Sequence, residues 1–182
     1  MWGVMRQEAE ERLARLYAEH GRDVLAYALR RSPEAEDAAD AVAETFLIAW
    51  RRLADVPDGD DERLWLYGVA RRVLANQRRG ERRRLRLGER LRSELPALVA
   101  AQAPPSGERS AVLSALSQLD EADRELLLLV GWEGLEPAQA ARVVGGSVVA
   151  VRSRLHRARR RLRMAMLAAE NGRTGQLEVE GA

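Results

Sequence analysis

Hydrophobic and polar positions alternate along this chain with the period of an α-helix. Apolar residues recur three and four positions apart over residues 8–31, again from 33 to about 53, and again over 63–79. Ser32 followed by Pro33 predicts an N-cap and a first helical residue for the second of these segments. The first part of the chain is therefore predicted to contain three helices.

The apolar stripe is lost after residue 80, where residues 81–92 are largely arginine. Prolines and glycine around 96–107 predict a linker, and helical spacing returns at residue 110. Asp120 is predicted to cap the following helix, and Gly131 to end it. We predict an all-α chain: two small helical domains at 8–87 and 110–168, a flexible linker at 88–109, and a disordered tail at 169–182.

Residues 135–162 carry the pattern of a helix-turn-helix. Pro137 suits a first helical position, Gly145 suits the left-handed residue that stops a helix, and Ser147 suits the cap of the next one. One apolar stripe is predicted to anchor the second helix: Val148, Val151, Leu155, Ala158 and Leu162. The opposite face is arginine-rich, which favours a helix that reads the DNA major groove over a surface helix with solvated arginines.

Charge is distributed unevenly, although the formal net charge is only +2. All 30 basic residues are arginine. Acidic residues dominate 34–62, whereas arginine dominates 71–92 and 152–163. Blocks of opposite sign predict that different faces bind different partners.

Several classes of function lack the residues they need. The chain has no cysteine, and its two histidines, His20 and His156, are far apart in sequence, so we expect neither a metal nor a cofactor. No nucleophile–base constellation indicates an enzyme. No apolar run approaches the roughly 20 residues that span a bilayer, and the N-terminus has no signal-peptide core, so a soluble cytoplasmic protein is expected.

Three segments together resemble a known family. They are DAADAVAETFLIAW at 37–50, RLWLYGVARRVLANQRR at 63–79, and LDEADRELLLL with VVAVRSRLHRARRRL in the second domain. This ordered set resembles the extracytoplasmic-function (ECF) sigma factors of the sigma-70 family, which contain only regions 2 and 4. The resemblance covers residues 13–86 and 110–167. It implies a bacterial initiation factor that binds core RNA polymerase at the β′ clamp helices and β flap, recognises promoter DNA, and is commonly held inactive by an anti-sigma factor.

The resemblance also implies roles for individual residues. The acidic second helix is similar to the surface that binds the β′ clamp helices, through Asp37, Asp40, Glu44 and Phe46. In the third helix, Arg71, Arg72 and Asn76 match positions that contact the −10 strand or its phosphates. Trp65, Arg78 and Arg79 of the same helix are also candidates for the −10 contact, because aromatic and basic residues together suit single-stranded DNA, although Trp65 also fits a core position. Residues of the last helix match positions at the −35 element: Arg152, Ser153 and Arg157, with Arg154 and His156 beside them. The loop at 56–62 resembles the segment that captures an unstacked base of the −10 element.

The chain departs from the family pattern at several positions. Ala43 stands where glutamine is frequent, and Val149-Ala150 where glycine-threonine is frequent. Asp120 replaces a usual proline, which we interpret as a neutral exchange of one cap for another. The 56–62 loop holds four acids, unexpected beside DNA: Asp58, Asp60, Asp61 and Glu62. The alternative function is a stand-alone helix-turn-helix regulator whose N-terminal helices dimerise or bind a signal.

Overall fold

A computed structural model describes residues 2–92 and 108–180, with side chains over most of 6–83 and 112–168. These residues form helices and no strand. The chain divides into two compact units, Met1–Leu98 and Val99–Ala182. The seven helices within the described ranges are α1 Trp2–Leu29, α2 Ala35–Arg51, α3 Asp61–Arg92, α4 Glu108–Ser117, α5 Glu121–Gly131, α6 Pro137–Val144 and α7 Val148–Glu180, with a 3₁₀ turn at Leu53–Asp55. The predicted all-α, two-unit architecture is confirmed.

In the first unit, α1, α2 and α3 all pack on one another around an apolar core. Leu16 and Val24 of α1 and Leu66 of α3 are fully buried. The rings of Tyr27 and Tyr67 stack with centroids 4.8 Å apart, which ties α1 to α3. This three-helix packing fixes the outward faces of α2 and α3 as a single surface.

The start of α2 differs from the prediction. The helix begins at Ala35 with Glu34 at the N-cap position, and the Ser32 hydroxyl is buried with no hydrogen-bond partner. The backbone N–H of Ser32 donates to the Ala28 carbonyl at 2.9 Å, three residues past the end of α1. Because α2 begins at Ala35 and not at Pro33, the N-cap position falls on Glu34 rather than on Ser32.

Two helices continue further than the sequence pattern predicts. α3 runs to Arg92 and so includes the start of the predicted linker, and α4 begins at Glu108 and includes the linker's last two residues. Residues 93–107, between them, lie outside the described residues. α7 continues to Glu180, through most of the predicted disordered tail. Both extensions lack proline, and arginine, alanine, glutamate and leucine are good helix formers, so losing the apolar stripe does not end the helix.

In the second unit, α5 and α6 pack against α7, as does α4. The predicted end signals of the helix-turn-helix are all present. Asp120 accepts from the backbone N–H of Asp123 at 2.8 Å, Gly145 has φ 76° and ψ 46°, and Ser147 Oγ accepts from the backbone N–H of Ala150 at 3.2 Å. These local interactions confirm the predicted helix-turn-helix of α6 and α7.

Candidate functional surfaces

The first turns of α7 separate an inward apolar face from an outward polar face. Val151, Leu155 and Ala158 are buried against the other helices. The outward face contains four of the five predicted −35 residues, which are all exposed: Arg152, Ser153, His156 and Arg157. Arg157 Nη1 donates to Ser153 Oγ at 2.8 Å, so the hydroxyl and the guanidinium are held together. This face offers donors that suit base edges and phosphates.

Arg154 is set apart from that group. Its Nε donates to Asp123 Oδ1 at 2.7 Å and its Nη2 donates to Asp120 Oδ1 at 2.9 Å. The hydrogen bond to Asp123 is the largest cause of a raised Arg154 pKa. The backbone N–H of Asp123 in turn holds the pKa of Asp120 below its usual value, with Arg154 adding to the effect. Arg154 is thus engaged by α5, and Asp120 does more than cap a helix.

On α3, the predicted −10 residues form two stripes. Trp65, Arg72, Asn76 and Arg79 are seven, four and three positions apart and lie along one face. Trp65 is half-buried and the other three are exposed, with Arg79 donating to the Asn76 side-chain oxygen. A half-buried ring beside exposed cations and an amide suits an unstacked base and its phosphates.

The remaining two −10 candidates lie on a neighbouring stripe of the same helix. Arg71 and Arg78 are seven positions apart and both are half-buried. Arg78 Nε donates to the Leu74 carbonyl at 3.3 Å, a bond within α3. The structure therefore brings four of the six candidates into one continuous stripe and places these two beside it.

The acidic residues predicted to bind polymerase occupy the outer surface of α2. Asp40 and Glu44 are exposed and Asp37 is half-buried. Asp40 and Glu44 also line a groove of 690 Å³ between α2 and α3, together with Asn76. Two of the three predicted polymerase-binding acids and one −10 candidate thus share a groove.

Phe46 does not share this exposed position. Its side chain is 7% exposed, and its ring meets the Tyr17 ring edge-on with centroids 5.0 Å apart. Because the ring is engaged by α1, Phe46 supports the seating of α2 and offers little surface to a partner.

An apolar groove between α1 and α2 went unrecognised in the sequence. Leu13, Tyr17, Phe46, Leu47 and Trp50 line it together with small and acidic neighbours, and its volume is 590 Å³. Tyr17 is 58% exposed and Trp50 is 37% exposed, although both lie at the helical spacing typical of core positions. The available signal was that α2 carries more apolar residues than one buried stripe needs.

Side chains of α1 pair with two of the four acids at 56–62. Arg12 donates to the Leu53 carbonyl at 3.0 Å, to the Val56 carbonyl at 2.8 Å and to Asp58 Oδ1 at 2.9 Å. Glu62 is buried and its oxygens lie 3.2 Å from Arg15 Nη2 and 3.2 Å from His20 Nε2. Asp58 and Glu62 are therefore paired within the unit, which reduces the negative charge facing DNA.

The same corner brings together a histidine and two acids that the sequence keeps apart. One ligand atom each from Glu19, His20 and Glu62 lies within 4.8 Å of the others. Both Glu62 oxygens already contact nitrogen atoms, of Arg15 and His20. Arg15 and His20 therefore already serve as partners for both oxygens of the buried Glu62 carboxylate.

Across the described residues, no helix combines the length and the apolar character that crossing a membrane requires.

Comparison with known proteins identifies both units. Residues 16–84 match the family model described as Sigma-70 region 2, and residues 109–162 match the model described as Sigma-70, region 4. The ECF RNA polymerase sigma factor SigL of Mycobacterium tuberculosis is 34% identical over 165 residues, which cover 87% of this chain and 91% of SigL. The RNA polymerase sigma factor CnrH of Cupriavidus metallidurans is 35% identical over 168 residues, 86% of each chain.

Solved structures agree with the sequence matches. The sigma factor RpoE, in complex with the anti-sigma factor NepR from Bartonella quintana, has a TM-score of 0.61 at 25% identity and covers 90% of this chain and 96% of its own. CnrH in complex with the cytosolic domain of CnrY has a TM-score of 0.60 at 29% identity, covering 86% and 88%. With both sigma-70 regions matched and relatives aligned along nearly their whole length, this chain belongs to the ECF sigma factors, which direct RNA polymerase to promoters.

Proposed function

We propose that the outward face of α7 reads the −35 element in the major groove, through Arg152, Ser153, His156 and Arg157. The observation that carries this assignment is the separation of faces on α7: the apolar stripe is buried, and these four side chains are exposed together. Arginine forks onto guanine edges and serine bonds to bases or phosphates. Arg154 is left out of this reading face because its Nε and Nη2 donate to aspartates of the α5 N-terminus.

The first unit supplies the −10 contact and the polymerase contact. The stripe of Trp65, Arg72, Asn76 and Arg79 on α3 binds the separated −10 strand. Arg71 and Arg78 beside it contact phosphates. Extruding a base costs a few kcal/mol, so an aromatic platform and cations beside it favour the open strand.

The exposed acids of α2 bind the β′ clamp helices of core polymerase. Asp40 and Glu44 are the main contacts and Asp37 flanks them, while Phe46 acts from beneath by holding α2 on α1. Charges at the edge of such an interface act mainly on the association rate and on partner choice.

The two units are assigned to the two sigma-70 regions. Residues 8–87 act as region 2, residues 110–168 as region 4, and 88–109 connect them. The chain works in the cytoplasm beside the polymerase, which performs the chemistry, so the sigma factor needs no catalytic residues of its own. RpoE is seen in complex with the anti-sigma factor NepR and CnrH in complex with the cytosolic domain of CnrY, and we extend regulation by an anti-sigma partner to this chain.

The test is reconstitution with core polymerase. We expect the purified chain to form a holoenzyme and to start a defined transcript in a run-off assay on its selected promoter. A chain that neither binds core polymerase nor starts a defined transcript would contradict the proposal. Tight palindromic binding without polymerase would instead support the stand-alone regulator.

A further inference from the structure

Four charged side chains join the start of α5 to the recognition helix α7. Asp120 and Asp123 lie at the N-cap and in the first turn of α5. Arg154 contacts both aspartates, at 2.9 Å and 2.7 Å. Arg161 reaches Asp120 at 3.4 Å and also contacts Asp123. The cluster is electrically balanced, with two acids and two bases.

Asp123 makes this cluster more than a surface ion pair. Its side chain is 0% exposed, whereas Asp120, Arg154 and Arg161 are each about half exposed. An isolated, exposed ion pair contributes little to the free energy of folding. Removing the partners of a buried carboxylate is strongly destabilising, because the charge is then left unpaired in the interior. Each Asp123 oxygen accepts from a different arginine, so α7 must keep both arginines at this site.

The spacing of the two arginines along α7 restrains the orientation of this helix on α5. Arg154 and Arg161 are seven residues apart, two turns along one edge of the helix. Holding two points on one edge restrains both the rotation of α7 about its axis and its position along that axis. Arg154 adds a fork, because its Nε and Nη2 donate to different carboxylates.

The restraint bears directly on the reading face. Of the seven arginines between residues 152 and 163, two point to α5, while Arg152 and Arg157 remain exposed on the outward side. Base-edge contacts require donors within hydrogen-bond distance, so a small rotation of α7 displaces all of them together.

We propose that the cluster of Asp120, Asp123, Arg154 and Arg161 is a positioning device that sets −35 sequence discrimination by holding α7 in one rotation. Arg154 is then a positioning residue, which affects DNA binding only by fixing the orientation of α7. The inference rests on the proposed reading of the −35 element by the outward face of α7.

The test measures discrimination in the reconstituted holoenzyme. Affinity is compared on a duplex promoter selected by the wild-type holoenzyme and on the same duplex with a scrambled −35 element, across a range of salt concentrations. Asp120→Ser keeps an N-cap hydroxyl but is too short to reach the arginines. We expect the ratio of the two affinities to fall about tenfold, the size of one lost base contact, with the salt slope unchanged.

A direct DNA contact by Arg154 predicts the opposite sign. Asp120→Ser would then release Arg154 from a competing carboxylate and tighten binding to the selected promoter, which would overturn the proposal. Arg154→Lys distinguishes positioning from a phosphate contact. Lysine can still bind a phosphate, but it lacks the planar guanidinium whose Nε and Nη2 donate to the two aspartates. We expect Arg154→Lys to lose discrimination as Asp120→Ser does; an unchanged ratio would contradict the positioning role.

Arg159→Ala is the matched control for loss of charge. Arg159 is exposed on the same helix, and its removal is expected to weaken binding to both duplexes alike and leave the ratio unchanged. Thermal unfolding followed by circular dichroism verifies that each variant remains folded at the assay temperature. If the wild-type holoenzyme itself shows no −35 discrimination, the proposed function fails. If the wild type discriminates and the Asp120→Ser and Arg154→Lys variants discriminate equally well, the positioning role fails.

Discussion

At the scale of single residues, Arg157 is one of the exposed arginines that we propose read a base edge. Its guanidinium is held against Ser153 Oγ on the outward face of α7. We expect Arg157→Ala to cost about 1–3 kcal/mol on the selected promoter and much less on a scrambled −35 element. Titrating both duplexes with holoenzyme at several salt concentrations measures the two effects. An equal loss on both duplexes, with a shallower salt slope, would assign Arg157 to phosphate.

Asp120 gives a prediction about pH. Its pKa is lowered in the folded state by the backbone N–H of Asp123 and by Arg154, so its contribution to stability is present above its unfolded pKa of about 3.9. That contribution is lost as the pH falls through the lower, folded pKa. We expect wild-type protein to melt above Asp120→Ala at pH 7 and the two melting temperatures to converge in strong acid, as measured by circular dichroism. A constant difference down to acid pH would show that the carboxylate charge plays no part.

At the scale of elements, the outer face of α2 is expected to decide polymerase binding. Reversing both exposed acids, in Asp40→Arg with Glu44→Arg, places repulsive charge in the interface. We predict a fall in core-polymerase affinity of about tenfold or more near physiological salt, mainly through a slower association rate. Glu8→Arg with Glu11→Arg, at two exposed acids of α1, changes the net charge by the same amount and is the control. Equal losses in both variants would show that overall charge, rather than this face, is responsible.

The loop before α3 is held by α1 through Arg12. Removing three hydrogen bonds, two of them to backbone carbonyls, should destabilise the loop locally by about 1–3 kcal/mol. We expect Arg12→Ala to slow promoter opening while leaving −35 binding intact. Permanganate footprinting at the −10 element reports opening, and a closed-complex gel shift reports binding. Loss of both together would indicate a general folding defect instead.

The elements that could be predicted from the sequence are those specified by neighbouring residues. Gly145 and Ser147 act within one turn of their own positions, so the helix-turn-helix was predicted together with its end signals. Arg12 and Val56 are 44 positions apart, and Arg154 and Asp123 are 31 apart. No local pattern marks such pairs, and for this reason the loop support and the α5–α7 cluster were not predicted.

The solvent exposure of individual side chains was harder to predict than the positions of the helices. Helical spacing identifies Tyr17 and Trp50 as apolar positions, but the crossing of α1 and α2 decides how much of each ring is covered. The same limit applies to Phe46, which the family resemblance implied at the polymerase surface and the packing places beneath it. Both outcomes depend on tertiary contacts that periodicity does not encode.

At the scale of the whole molecule, two DNA contacts are expected to act through one polymerase. Each unit need bind only weakly, because the holoenzyme presents both to the same promoter and raises their effective concentration. We predict that the free chain binds promoter DNA with little sequence preference and gains preference only with core polymerase. Fluorescence anisotropy on selected and scrambled promoters, with and without core, measures this. Strong preference by the free chain on a palindrome would favour an independent regulator.

The division of faces on α7 has a consequence for evolution. Val149 is 77% exposed and Ala150, Arg152 and Ser153 are also exposed, so none of these positions is needed to build the core. Substitutions there are expected to change stability by no more than about 0.5 kcal/mol, while the buried stripe and the α5 cluster keep the helix in place. Under the proposed −35 reading by α7, we expect promoter preference to diverge between gene copies without loss of folding. The same positions are then suitable for engineering sigma factors that do not recognise each other's promoters.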